Sequence, residues 1–116
     1  MLVVGNWKMH GDWRGNAQRL DALHQRWLAS SVVTLAVCVP SPYLGQSQQA
    51  LQHGAVAWGA QDVSAHAAGA YTGEVSAAML VDFGARYAIV GHSERRQYHG
   101  ETSEHVGAKA QAALQA

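Results

Sequence analysis

At 116 residues, 48% of them hydrophobic, the chain has the length and composition of one modest globular domain with a core of its own. Eight basic side chains balance eight acidic ones, which argues against a broad basic nucleic-acid surface and against a polybasic membrane patch. No apolar stretch reaches transmembrane length, and the single cysteine excludes an intramolecular disulfide, in keeping with a reducing compartment.

The opening "MLVVGNWKMH" has no basic leader, no long apolar segment and no small-residue cleavage site, so it reads as a mature cytoplasmic start. Its "LVVGN", residues 2–6, is the first apolar run. A helix is predicted over 16–30, after the breaker Gly15, with Asn16 as its N-cap and Leu20, Leu23 and Trp27 as one apolar stripe. The second apolar run, "VVTLAVCV" over 32–39, holds Cys38, which reads as a small buried hydrophobe. Ser41 as cap and Pro42 at the first helical position open a helix over 41–53. "AVAWGA" at 55–60 is the third run, followed by a long loop rich in Gly and Ala. Ser76 caps a helix that Gly84 stops. "YAIVGH" at 87–92 is the fourth run, and a charged, turning stretch follows it. Thr102 and Glu104 open a last helix over 102–116; without a C-cap, a basic last turn or a closing strand it reads as part of an unfinished domain.

None of the apolar runs alternates cleanly with polar residues, which marks strands covered on both faces. The chain therefore reads as α/β, four βα units with parallel strands joined by right-handed crossovers. A barrel of this type takes eight strands. Length alone favours an open, doubly wound four-stranded sheet.

Ligands of α/β proteins bind where strands end. Asn6, Trp7 and Lys8 follow the first run, Gln61 the third and His92 the fourth. Lys8 there is either a fixed cation for an anionic substrate or a solvated loop lysine. Asn6 either joins the same mouth or simply ends the strand. His92 precedes Ser93-Glu94-Arg95, where a helix start would disfavour a protonated ring; it is either a neutral hydrogen-bond donor to a carbonyl or a satisfied core histidine. The seven histidines show no ligand spacing with cysteine or carboxylate support, so no metal is expected. The Gly-rich nucleotide loops and the Gly-x-Ser-x-Gly elbow are absent from the sequence.

Three blocks carry a resemblance: "GNWKMH" at 5–10, "GAQDVSAHAAGAYTGEVSAAMLVDFGARYAIVGHSERR" at 59–96 and "GETSEHVGAKAQAAL" at 100–114. In content, order and separation they resemble the triosephosphate isomerase family, across essentially this whole chain but only the first half of a family member. The resemblance implies that residues 1–116 are a single partial domain, the first half of a (β/α)8 barrel. It implies an aldose–ketose isomerase interconverting dihydroxyacetone phosphate and glyceraldehyde 3-phosphate in glycolysis and gluconeogenesis, with no cofactor. Asn6 and Lys8 match the substrate-binding pair. His92 matches the electrophile that polarises the substrate carbonyl, a role this family itself commonly illustrates. Glu94 matches a supporting glutamate that bridges to Lys8, moves protons or merely orients. The loop Asp62–Glu74, with Gln61 at its base, matches an intersubunit loop of a homodimer or higher oligomer. Thr72 would enter the neighbour's site, and Glu74 and Arg95 would be interface partners. Glu101 and Lys109 match a structural pair pinning a loop to the last helix. The family's glutamate base, its lid and its Gly-rich phosphate grip match nothing in this chain. Two alternatives stand beside this reading: a non-catalytic, self-associating half-barrel, and an open-sheet phosphate-binding module.

Overall fold

The computed structural model describes residues 1–28 and 32–116. Its four apolar runs form one sheet: β1 (Leu2–Asn6), β2 (Thr34–Val39), β3 (Val56–Ala60) and β4 (Tyr87–Ala88). All neighbours are parallel, and the order is β1-β2-β3-β4. The sheet curls as a half-barrel with helices outside, and the strand permutation of a doubly wound sheet is not present. Burial explains the uninterrupted apolar run of β2, but not that of β1, which the sequence reading expects to be covered on both faces and which instead leaves Leu2, Val3 and Val4 exposed. In β2, Ala36, Val37, Cys38 and Val39 are all buried, between helices on one face and the concave side of the curl on the other.

The apolar run of β4 continues to Val90, but pairing stops earlier. Ile89 N–H still donates to the Ala60 carbonyl at 3.0 Å. Gly91 then adopts a φ of 65°, and a Cβ there would lie 2.7 Å from Val106. Only glycine fits this turn off the sheet. Gly59 has a different reason: a Cβ on it would lie 2.2 Å from the Tyr87 carbonyl oxygen, so its absence lets β4 approach β3.

Helix α1 spans Trp13–Arg26. The sequence reading starts it at Asn16; the structure starts it three residues earlier. Asp12 is the cap, its carboxylate accepting Gly15 N–H at 2.8 Å. Asn16 is buried within the first turns, and Gly15 is tolerated in a first turn whose N–H groups need no helical carbonyl. Residues 29 and 30 of the predicted helix lie outside the described residues. The segment predicted as one helix over 41–53 opens as a 3-10 turn, Ser41–Tyr43, and continues as α2, Leu44–Leu51. Ser41 makes no capping hydrogen bond; Pro42, which has no N–H to satisfy, shapes this entry instead. Helix α3 (Ala77–Asp82) is capped by Ser76, whose hydroxyl accepts Met79 N–H, and it stops at Gly84.

The charged stretch after His92, read from sequence as a turning loop, is a further helix, α4 (Ser93–His99), ended by Gly100. Helix α5 spans Ser103–Gln115. Thr102 caps it, and His105 completes the cap by accepting Thr102 N–H. Leu20, Leu44, Leu51 and Leu80 of α1 to α3 meet Val37, Val39, Val56 and Ala60 of the sheet in the core.

Loop and helix are joined by a four-membered charge cluster. Lys109 of α5 bonds Glu101 and, at 2.8 Å, Asp62. Arg95 of α4 bonds Glu101 at 2.6 Å and Asp62 at 3.2 Å. Glu101 and Lys109 therefore form the structural pair that the resemblance implies, enlarged by Asp62 and Arg95. Burial pushes the Glu101 carboxyl up, but the hydrogen bonds from Lys109 and Arg95 outweigh it and hold the group below the usual carboxylate range. A carboxyl depressed in the folded state stabilises the fold fully above the ordinary carboxylate range and loses that contribution as pH falls through its folded value. Glu101→Gln should thus cost about 1–3 kcal/mol at neutral pH. Chemical denaturation as a function of pH should also show a shallower acid-side loss for the variant than for the parent chain.

Candidate functional site

The strands all point their C-terminal ends to one mouth, where an open cleft of about 660 Å³ is lined by Asn6, Lys8, Gln61, Glu74, His92 and Glu94 among others. Asn6 is the last residue of β1, and Trp7 N–H carries the pairing one step further to the Cys38 carbonyl at 3.0 Å. Lys8 then turns sharply. Its φ of 53° makes it the non-glycine residue with a left-handed backbone among the described residues. For an L-residue that conformation costs about 1–2 kcal/mol. Asn6 Oδ1 accepts Lys8 N–H at 2.9 Å and supports the turn.

From this turn the Lys8 ammonium reaches across the mouth to Glu94 Oε1, 2.6 Å away. The hydrogen bond that Glu94 accepts from Lys8, followed by the Glu94 charge, raises the Lys8 pKa. The hydrogen bond from Lys8 in turn holds the Glu94 carboxyl below the usual carboxylate range. Both side chains are about half exposed, 50% and 42%, so the pair contributes little to stability. It orients the ammonium and leaves it accessible to a ligand.

His92 is the N-cap of α4, and Gly91 is the turn that puts it there. Its Nδ1 accepts Glu94 N–H at 3.2 Å. A nitrogen that accepts carries its lone pair, so the proton of a neutral ring belongs on Nε2. At 28% side-chain exposure and with a place in the cleft wall, His92 is no core histidine. The arrangement offers a cation, a carboxylate and an imidazole in one opening, which suits a small anionic substrate with a polarisable oxygen.

The long loop is held in shape. Ser64 N–H donates to the Val75 carbonyl at 2.8 Å and closes its base, while His66 and Tyr71 stack at 3.8 Å within it. Glu74 accepts the Ser64 hydroxyl at 2.7 Å. Thr72 is exposed on the turn between Tyr71 and Glu74. Arg95 faces inward to Asp62 and Glu101 of its own chain. Gln61, at the loop's base, donates its amide to the Lys8 and Cys38 carbonyls. Pattern reading did not find these Gln61 contacts or the parts of Asp62 and Arg95 in the charge cluster; the one available signal was that Gln61 and Asp62 directly follow an apolar strand. No helix among the described residues is long and apolar enough to cross a membrane.

Residues 1–116 match the family model for triosephosphate isomerase. The chain is 58% identical over 114 residues to the triosephosphate isomerase of Cupriavidus taiwanensis, an alignment covering 98% of this chain and 46% of that protein. It is 57% identical over 114 residues to that of Ralstonia nicotianae, covering 98% and 45%. It is 56% identical over 115 residues to that of Bordetella pertussis, covering 99% and 46%. The chain thus spans about half the length of these curated relatives. With the family model matched along its whole length, the chain belongs to the triosephosphate isomerase family.

Proposed function

We infer that residues 1–116 act as the N-terminal half-barrel, one partial domain, of a cytoplasmic triosephosphate isomerase that interconverts dihydroxyacetone phosphate and glyceraldehyde 3-phosphate through an enediolate. The observation that carries this reading is the His92 ring, with Nδ1 occupied by Glu94 N–H and the Lys8–Glu94 pair beside it in the same cleft. A base takes the proton from the carbon next to the substrate carbonyl, and the carbonyl oxygen gains negative charge. His92 Nε2–H donates to that oxygen, and Lys8 with Asn6 binds the anionic substrate. The hydroxyl proton of the adjacent carbon passes to the former carbonyl oxygen, the base returns its proton to the former carbonyl carbon, and the new carbonyl on the adjacent carbon completes the other triose. No cofactor enters this chemistry. The family's glutamate base matches nothing in this chain, and the carboxylates of the cleft are engaged otherwise: Glu94 with Lys8, which depresses its pKa and makes it a poor proton acceptor, Glu74 with Ser64, and Asp62 with Arg95 and Lys109. In this reading Thr72 and Glu74 belong to a loop that meets a second subunit of a homodimer or higher oligomer, and Arg95 supports that loop from within.

The purified chain should show no turnover above background in a coupled isomerase assay. Adding a polypeptide with the family's second half should restore turnover, and His92→Gln should then lower kcat by about 10²–10⁴. Turnover by the chain alone, abolished by His92→Gln, would contradict the assignment of the base to another segment.

A second reading, a non-catalytic self-associating half-barrel, draws on β1. This edge strand exposes Leu2, Val3 and Val4 by 48%, 44% and 40%. An apolar edge with free backbone groups recruits other strands. The isolated chain should sediment as oligomers whose size grows with concentration across the micromolar range, and Val3→Lys should shift it toward monomer. A dispersed monomer over that range would count against the association.

A further inference from the structure

We propose that Gln61 is a positioning residue that locks the left-handed backbone of Lys8 and thereby fixes where the Lys8 ammonium sits in the cleft. The inference rests on the reading of that cleft as the triose phosphate site, and it concerns how the binding cation is aimed.

The left-handed turn at Lys8 is unfavourable for a residue with a side chain and persists only where its surroundings hold it. Here both sides of the residue are held. Its N–H donates to Asn6 Oδ1 at 2.9 Å, and its carbonyl accepts Gln61 Nε2 at 2.8 Å. The same Gln61 amide nitrogen donates to the Cys38 carbonyl at 3.0 Å, which also accepts Trp7 N–H. One carboxamide group therefore joins three strand ends: it follows β3, and it bonds the last turn of β1 and the end of β2. Gln61 begins the exit loop directly after Ala60, which is buried, so its backbone is anchored.

The side-chain type matters. A carboxamide nitrogen has two protons for two carbonyl oxygens. A carboxylate in the same place would set like partial charges against both carbonyls, and a leucine of similar size would offer neither a donor nor a charge. Without the amide, the Lys8 carbonyl is free to rotate and the backbone to relax to a negative φ. The side chain then leaves from a different direction, and the contact with Glu94 lengthens or breaks.

Lys8 and Lys109 are the lysines of this chain, so isotope labelling of lysine on the full chain reads the site and an internal control together. Lys109 is held by Asp62 and Glu101, whereas the Gln61 amide bonds the Lys8 and Cys38 carbonyls. In the parent chain Lys8 should give the strong intraresidue amide-to-Hα cross-peak of a left-handed residue. Its side-chain titration midpoint should lie above the ordinary lysine range. In Gln61→Leu that cross-peak should weaken severalfold and the Lys8 midpoint should fall toward the ordinary value, with the Lys109 signals unmoved. Gln61→Met, which also lacks the donor, should behave as Gln61→Leu does. Unchanged Lys8 signals in both variants would overturn the proposal. Equal movement of Lys8 and Lys109 would overturn it too, by making Gln61 a support of the whole fold. Isomerase activity does not enter this readout, so a failure here is distinct from a failure of the functional reading.

Discussion

Parallel pairing of consecutive strands is the constraint on which the site depends. Asn6 lies opposite Cys38, Cys38 opposite Gly59, and Gly59 opposite Tyr87. Because all four strands run the same way in this register, the residues just beyond each one, Lys8, Gln61 and His92, arrive at one mouth. Reversing any strand would send its exit residues to the far end of the sheet. The register also has a steric condition, the missing Cβ of Gly59, without which β4 and the His92 turn could not come so close to β3.

Charge is divided between two places, with different consequences. The Asp62, Arg95, Glu101 and Lys109 cluster is partly to fully buried and links the exit of β3 to α4 and α5. Its members pair through Glu101 Oε1 and the Asp62 carboxylate, while Glu101 Oε2 is buried without a hydrogen-bond partner, and removing a member would leave a charge facing a poorly hydrated space. The Lys8–Glu94 pair is exposed, bridges β1's exit to α4 and stabilises little. Under the proposed function, its accessibility fits it to a substrate: an ammonium already aimed by its backbone and its partner pays less to meet an anion. Glu94 contributes to both neighbours, through its carboxylate to Lys8 and through its N–H to His92.

The sequence carried the elements better than their arrangement. The apolar runs at 2–6, 32–39 and 55–60 lie within two residues of β1, β2 and β3; burial writes itself directly into the composition of β2, whereas β1 is as apolar although Leu2, Val3 and Val4 are exposed. Strand order has no such signature: length favoured an open, permuted sheet, and only the motif resemblance pointed to a half-barrel. The start of α1 was missed because Asp12 and Asn16 are both good caps, and which one reaches a free N–H depends on the turn after Lys8. Helix α4, seven residues long, has no apolar stripe to announce it. At the site, Asn6, Lys8, Glu94 and His92 were legible as a group through their motifs. The amide bonds of Gln61 were not, because they join carbonyls 53 and 23 residues distant in sequence.

The register is also open to direct measurement. Scalar couplings across hydrogen bonds, read by NMR on the deuterated chain, report which carbonyl each strand amide meets. The structure predicts a coupling from Trp7 N to the Cys38 carbonyl carbon and another from Ile89 N to that of Ala60. A coupling from the β1 amides to carbonyls of β3 would instead place β1 between other strands, and the common mouth of Lys8, Gln61 and His92 would not exist.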